Sequence, residues 1–217
     1  KRSRGHERGV RSLFSHAWSP CRIGIAGGGT DLPAWTQGNN GREGRCLSLA
    51  IDTHVHAVAI TRPDKLVVAS YSQRDVAGCA TEIANGLIRE SALMHGFEDG
   101  FEVHILSEIS SQGSGLGVSS AIAVALAGCF AKLFDESFAG GPAKKMAQNE
   151  SPWSQQSLAM DAWRVEIDRL KRPIGRQDHM ATAHGGLRLY GFKANDASVE
   201  KTFSADDAAW VARHLLL

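Results

Sequence analysis

The sequence lacks long apolar runs and carries almost no net charge. No stretch approaches the roughly 18 consecutive apolar residues that a membrane span needs, and no signal-peptide-like apolar segment is present. The formal net charge is +1, so no overall field directs the chain to nucleic acid or to a membrane surface. Basic residues interleaved with aromatic ones, typical of nucleic-acid-binding surfaces, are also missing. We therefore expect neither partner.

Cysteines are few and widely separated, and no C-x-x-C pair occurs among Cys21, Cys46, Cys79 and Cys129. This spacing suggests neither a zinc site nor a disulfide framework. Isolated cysteines of this kind favour the reducing cytoplasm as the compartment.

The composition, with 43% hydrophobic and 22% charged residues, is typical of a globular protein. A length of 217 residues fits one large or two small domains. Basic residues are concentrated at the start, where only Glu7 is acidic among Lys1, Arg2, Arg4, Arg8 and Arg11. We expect residues 1–17 to form a flexible basic leader rather than a nucleic-acid-binding or targeting arm.

Hydrophobic periodicity and the positions of glycine and proline predict an α+β fold, because strands cluster early, helices follow, and one strand returns near the end. The predicted strands are 20–26, 47–60, 66–71, 101–106 and 187–192. The predicted helices are 82–95, 121–134, 155–170 and 178–184. Polar, glycine-rich loops are expected at 37–45 and 139–154.

The most informative segment is Gly113-Ser114-Gly115-Leu116-Gly117-Val118-Ser119-Ser120-Ala121, which joins a predicted strand to a predicted buried helix. Glycine lets the backbone approach a ligand closely, and a helix start directs free N–H groups at an anion. The order predicts a phosphate-binding loop, with a turn that only caps the helix as the alternative. No Lys follows Gly117, and no G-x-G-x-x-G with a later acidic residue occurs, so the common nucleotide motifs are excluded.

A second glycine cluster, Gly27–Gly29, follows the predicted strand 20–26 and is flanked by Arg22 and Asp31. Three glycines exceed what a simple turn requires, although such a turn is the alternative. Asp31 is suited to hydrogen bonding with sugar hydroxyls, and Arg22 is suited to pairing with a carboxylate or a phosphate.

Two carboxylates stand out in the second half. Glu166 shares a predicted helix face with Ala159, Trp163 and Leu170, and a carboxylate on such an apolar face needs a partner. The sequence leaves two candidates for the partner of Glu166, a divalent cation and an arginine, and favours neither. Asp178 begins a predicted short helix, where it is either an N-cap or an ionised group that orients, or takes a proton from, an attacking hydroxyl.

Two histidines, His54 and His56, lie two residues apart on one face of the predicted strand 47–60. A metal-binding pair is conceivable, but no third ligand is evident. We interpret them as residues of the polar face.

Together these motifs resemble the GHMP small-molecule kinases, the superfamily of galactokinase and of homoserine, mevalonate and phosphomevalonate kinases. The resemblance covers roughly residues 18–195 and is carried by P-C-R-I-G-I-A-G-G-G-T-D-L-P at 20–33, the glycine loop at 113–121, and the segment 166–186. A-G-G-G-T-D-L-P combined with P-I-G-x-Q-D is most similar to the branch that contains D-glycero-D-manno-heptose 7-phosphate kinase.

The resemblance implies a two-layer domain with a mostly antiparallel sheet and helices on one face. It also implies transfer of the γ-phosphoryl group of ATP, with Mg²⁺, to a hydroxyl of a sugar or sugar phosphate. The implied catalytic residues are Asp178 and Arg22, and the implied Mg²⁺ ligands are Ser119 and Glu166. The implied phosphate-binding residues are Gly113, Ser114, Gly115, Leu116, Gly117, Ser119 and Ser120, and the implied sugar-binding residues are Gly28, Gly29, Thr30 and Asp31.

Three features depart from the family pattern. Val118 stands where the family usually has a serine, the loop 37–45 is longer than the usual turn, and only 205–217 follows the last matched strand, whereas family members usually continue into a second domain. We therefore expect an ATP-binding domain at 18–200 and the start of a truncated region at 201–217. A non-catalytic sugar- or nucleotide-binding module is the alternative function, although the retained Glu166, Asp178 and Arg22 argue against it.

Overall fold

The structure is a computed structural model that describes residues 13–37, 42–110, 114–137, 153–194 and 196–215. Its described strands are β1 (Phe14–Ala26), β2 (Gly44–Thr61), β3 (Val67–Ser70), β4 (Arg74–Ala77), β5 (Phe101–Ser107), β6 (Leu187–Lys193) and β7 (Asp196–Thr202). Its described helices are α1 (Pro33–Thr36), α2 (Gly86–Met94), α3 (Val118–Ser137), α4 (Gln155–Arg164), α5 (Gln177–His184) and α6 (Ala205–His214). A π-helical turn, Val165–Arg169, extends α4.

The seven strands form one sheet in the order β4-β3-β5-β2-β6-β7, with β1 also paired to β2. Strand β2 organises it: β1 runs antiparallel along one edge, while β6 pairs with its first half and β5 with its second half. Only β3 and β5 are parallel within this sheet. The prediction of an α+β fold with a mostly antiparallel sheet is therefore confirmed.

The core lies between one face of the sheet and the helices, with α3 at its centre. Helix α3 is apolar nearly all round because the sheet covers one side and the neighbouring helices cover the other. Phe130 of α3 meets Phe101 of β5 edge to face, with ring centroids 5.4 Å apart. This packing holds the middle of α3 against the sheet.

Some element boundaries differ from the sequence predictions. Residues 14–17, which we expect in the leader, belong to β1, where they pair with β2; residues 1–12 lie outside the described part. Helix α2 begins at Gly86 rather than 82, because the Asn85 side chain caps it by accepting a hydrogen bond from Ile88 N at 3.1 Å. Residues 80–82 form a separate 3₁₀ turn.

Two strands were not predicted, because each is a short or polar edge strand whose pattern carries little apolar alternation. Strand β4 has only four residues, and β7 is rich in charged and small side chains. The predicted loop 139–154 lies outside the described residues except for its last two positions, and positions 38–41 of the predicted loop 37–45 also lie outside them.

The two histidines of the polar face lie on β2 beside β1. His56 Nδ1 is 3.1 Å from His16 Nε2, and the rings of His54 and Trp18 meet edge to face. Within the described ranges, no three or more His, Cys, Asp or Glu residues are grouped to hold a metal ion. The interpretation of these histidines as polar-face residues fits this arrangement.

Among the described residues, no helix has the length and apolarity needed to cross a bilayer.

A glycine contact holds the Gly27–Gly29 turn against β2, and Gly27→Ala tests it. Gly27 has a φ of +82°, and an added Cβ would lie 1.9 Å from Arg45 O. We expect Gly27→Ala to lower the free energy of unfolding by about 2–4 kcal/mol, measured by urea denaturation. Gly24→Ala is the matched control, because an added Cβ there meets nothing within 4 Å. Equal stability of the two variants would contradict the assignment.

Candidate active site

The site is centred on a bidentate ion pair between β1 and α5. Arg22 Nε lies 2.7 Å from Asp178 Oδ1, and Arg22 Nη2 lies 2.5 Å from Asp178 Oδ2. Parallel N–H···O bonds of this kind fix orientation as well as charge. Asp178 is not the N-cap of α5, because that position belongs to Arg176. The N-cap interpretation of Asp178 is therefore wrong: its carboxylate is directed to Arg22 instead.

Arg22 also holds the glycine loop. Its Nη1 donates to Gly115 O at 2.7 Å, and its backbone N donates to Leu116 O at 2.9 Å. An added Cβ on Gly117 would lie 3.0 Å from Arg22 Cγ, so the glycine permits this close packing. One arginine thus fixes the loop and Asp178 relative to each other.

The glycine loop leads directly into α3. Gly115 and Gly117 have φ values of +68° and +72°, a region that favours glycine. The first α-helical bond runs from Ala121 N to Gly117 O, which leaves the preceding amides of the first turn without intrahelical acceptors. A helix start of this kind is suited to an anion. The loop's first predicted member, Gly113, lies outside the described residues.

Val118 occupies the position where the family usually has a serine. Its side chain is buried and packs with Cys21, Val55 and Ala121 beneath the loop. The side chain therefore contributes to the core rather than to the cleft, which explains in packing terms why an apolar residue is accommodated here.

Glu166 is the most buried charged group of the site, with 2% of the residue exposed. Its Oε1 accepts hydrogen bonds from Ser119 Oγ at 2.8 Å and from Arg172 Nη1, and its Oε2 lies 2.7 Å from His179 Nε2. Burial raises the pKa of Glu166, but the bonds from His179, Ser119 and Arg172 outweigh it and lower the pKa to about 2. An arginine partner of the kind considered from the sequence is therefore present.

A π-helical turn brings Glu166 inward. Leu170 N donates to Val165 O, and this wider turn buries the neighbouring residues Val165 and Glu166 together. The predicted α-helical face holds for Ala159 and Glu166, which are buried, whereas Trp163 and Leu170 are only partly buried. Single π turns are frequent at functional sites.

Asp31 faces the same cleft from the Gly27–Gly29 turn. It is 3% exposed, and its Oδ2 accepts from Gln177 N at 2.8 Å. Its Oδ1 is buried without a hydrogen-bond partner among the described residues. An added Cβ on Gly175 would lie 1.8 Å from Asp31 Oδ2, so the glycine makes room for the carboxylate. A buried, half-satisfied carboxylate is suited to a hydroxyl donor.

The other predicted sugar-binding residues divide between two neighbouring clefts and the turn itself. Gly29 lines a cleft of about 300 Å³ together with Asp31, Ser119, Ser120, Glu166 and Asp178. Gly28 lines an adjoining cleft with Arg22 and Gly115. The Thr30 hydroxyl instead accepts from Arg45 N at 3.0 Å and lies 2.9 Å from Arg45 O. Thr30 therefore ties the turn to β2 and does not line the main cleft.

The donor atoms around Ser119 are compatible with Mg²⁺. Ser119 Oγ and Glu166 Oε1 are oxygen atoms 2.8 Å apart at the edge of the cleft, and Mg²⁺ prefers oxygen ligands with few of them from protein. Within the part of the chain described, no group of three or more His, Cys, Asp or Glu side chains is arranged to hold a metal ion. Ser119 and Glu166 would therefore share the cation with water and phosphate oxygens.

Sequence reasoning missed Arg172, His179 and Arg176. Arg172 and His179 contact Glu166, and buried Arg176 donates to the carbonyls of Lys193, Ala194 and Asp196 while lying 4.5 Å above the Trp163 ring. Arg176 thereby anchors the start of α5 to the β6–β7 hairpin. These residues lie in or beside a loop that has no hydrophobic periodicity. The only signal for them in the sequence is that they lie close to Gly175 and Asp178.

Comparison with known proteins gives one family and several relatives. The family described as GHMP kinases N terminal domain matches residues 76–186. D-glycero-alpha-D-manno-heptose 7-phosphate kinase of Campylobacter jejuni is 24% identical over 91% of this chain and 56% of its own length.

Two solved structures show the same fold at low identity. A D-glycero-D-manno-heptose 1-phosphate kinase from Bacteroides thetaiotaomicron has a TM-score of 0.70 at 18% identity, covering 94% of this chain and 63% of that one. A galactokinase from Lactococcus lactis, complexed with galactose, has a TM-score of 0.61 at 17% identity, covering 92% of this chain and 54% of that one. The chain thus spans between about half and two thirds of the length of these relatives.

The buried contacts of Glu166 predict a specific acid dependence of stability. Because the pKa of Glu166 is lowered from 4.5 to about 2 on folding, its ionised form stabilises the fold above about pH 5, and this contribution is lost as the pH falls toward 2. At neutral pH it amounts to about 3 kcal/mol. We expect Glu166→Gln to lower the urea midpoint most near pH 7 and least near pH 2. A constant difference between the two proteins across this range would contradict the prediction.

Proposed function

The chain belongs to the GHMP kinases, and on that basis we propose that it transfers the γ-phosphoryl group of ATP to a hydroxyl of a sugar or sugar phosphate. The observation that carries the proposal is the convergence of three groups on one cleft. The glycine loop at the start of α3, the Ser119–Glu166 oxygen pair and the Asp178 carboxylate all border it. Phosphoryl transfer needs this combination of phosphate binding, charge neutralisation and a positioned hydroxyl.

The nucleotide phosphates are proposed to lie against the loop 114–120 and the first-turn amides of α3. Mg²⁺, when bound, would neutralise phosphate charge, and Ser119 and Glu166 are the residues proposed to hold it. The adenine base of ATP is proposed to occupy a cleft of about 480 Å³ beside the loop, lined by Tyr71, Ile105, Ile109 and Ile122. Ile109 and Ile122 lie on either side of the loop in sequence, so this cleft opens next to the proposed phosphate site.

Asp178 is proposed to orient the acceptor hydroxyl and to accept its proton, because its carboxylate lines the cleft while Arg22 fixes its direction. Asp31 is proposed to accept a hydrogen bond from another hydroxyl through its unpartnered Oδ1. Two of the relatives are heptose phosphate kinases, and their activities favour a heptose phosphate as the acceptor. All four cysteines are free thiols, which fits our expectation of a cytoplasmic enzyme.

The direct test is ADP release by the purified chain with Mg²⁺, ATP and a panel of heptoses, hexoses and their phosphates. We expect one acceptor to raise ADP release above the acceptor-free rate. Absence of turnover together with retained binding of the metal–nucleotide complex would favour the non-catalytic binding module. Absence of both would overturn the proposal.

The Asp178 assignment predicts a large loss of rate. Asp178→Asn removes the proton acceptor while preserving shape, and we expect kcat to fall by about 10²- to 10⁴-fold. Acceptor-dependent ADP release at saturating substrates is the measurement. Asp168→Asn is the control, because Asp168 is an exposed carboxylate on the π turn, and its rate should match the wild type. Equal rates for all three proteins would show that Asp178 is not catalytic.

The Asp31 assignment predicts an effect on acceptor binding. Asp31→Asn keeps the size of the side chain but replaces an acceptor-only group, and we expect the KM for the acceptor to rise about 10-fold or more. The KM for ATP should change little, because Asp31 borders the glycine turn rather than the phosphate loop. A selective rise in the KM for ATP would contradict the assignment and would indicate that Asp31 contributes to nucleotide binding instead.

A further inference from the structure

Arg172 lies on the two oxygen atoms proposed to bind the metal. Its Nη1 donates to Ser119 Oγ at 3.0 Å and also to Glu166 Oε1. A guanidinium group is positively charged at any working pH. The described structure therefore already contains a cation at the position that a divalent ion needs.

The backbone of Arg172 is fixed, whereas its side chain is accessible. Arg172 N donates to Glu166 O at 2.9 Å, and Ile174 N donates to Arg172 O at 2.9 Å. The preceding residue, Lys171, has a φ of +56°, so the chain makes a defined turn here. The Arg172 side chain is 43% exposed, against 2% for Glu166, and its guanidinium makes no other hydrogen bond within the described part. The side chain can therefore turn into solvent without disturbing the core.

We propose that Arg172 is an internal competitor for the metal site, which holds Ser119 and Glu166 until a divalent cation displaces it. The inference rests on the proposed function, because that function defines the two oxygens as metal ligands. A guanidinium and a divalent cation bound to the same two oxygen atoms would lie close together and repel each other. They therefore cannot occupy this oxygen pair at the same time. The charge-assisted bonds of Arg172 must break first, which weakens the binding of a free cation.

The competition has a consequence for what the site accepts. A free divalent cation has to displace Arg172 without any compensating contact. A cation that arrives with nucleotide brings phosphate charge, which offers the displaced guanidinium a new partner near the loop. Arg172 therefore makes the site selective for the metal–nucleotide complex over the metal alone.

The test is a titration with Mn²⁺ in the absence of nucleotide. Electron paramagnetic resonance measures the concentration of free Mn²⁺ and hence the binding affinity. We expect Arg172→Gln to bind Mn²⁺ about tenfold more tightly than the wild type. Arg172→Lys retains a positive charge and should stay close to the wild type. Arg169→Gln is the matched control, because Arg169 has a similarly exposed side chain (40%) and pairs with Glu90 away from the cleft; its affinity should be unchanged.

The outcomes separate this inference from the proposed function on which it rests. Equal or weaker Mn²⁺ binding by Arg172→Gln, with binding abolished by Glu166→Gln, would overturn the competition and leave the metal site standing. Unchanged binding by Glu166→Gln would overturn both, and no Mn²⁺ binding by Arg172→Gln would overturn the competition alone. Thermal melting of each variant checks that it is folded.

Discussion

The ion pair between Arg22 and Asp178 is the interaction on which the site depends. It joins β1 to α5 through two residues 156 positions apart in the chain, and the same arginine holds the carbonyls of Gly115 and Leu116. The distance between the glycine loop and the Asp178 carboxylate is therefore set by one side chain. Reactions that depend on positioning are sensitive to such a constraint, since small displacements of reacting groups are costly.

Around this pair the structure buries an acidic group that water would otherwise solvate. Glu166 is tolerated in the interior because Ser119, Arg172 and His179 each contact its oxygens. The network also ties the π turn to α3 and α5. Asp31 is treated differently: one of its oxygens is bonded to Gln177 N and the other is unpartnered among the described residues. The contrast is between a carboxylate with partners on both oxygens and one with an oxygen that has no partner among the described residues.

The sequence was sufficient for the elements with strong local patterns. The apolar run of α3, the alternation along β2 and the glycines at positive φ could be read directly, and so could the candidate residues Arg22, Glu166 and Asp178. Strands β4 and β7 were missed because short or polar edge strands bury too little to show alternation. Arg172 was missed because its role depends on a turn set by Lys171 and on the π turn before it. Gly175 gains its role only when folding brings Asp31 against it, a contact between distant parts of the chain.

The most direct measurement is a crystal structure of the chain with Mg²⁺ and a non-hydrolysable ATP analogue. We expect phosphates against residues 114–120, the cation on Ser119 and Glu166, Arg172 displaced from both, and the terminal phosphate facing Asp178. Nucleotide bound away from the start of α3, or a cation that leaves Ser119 and Glu166 untouched, would show that these residues do not form one phosphoryl-transfer site.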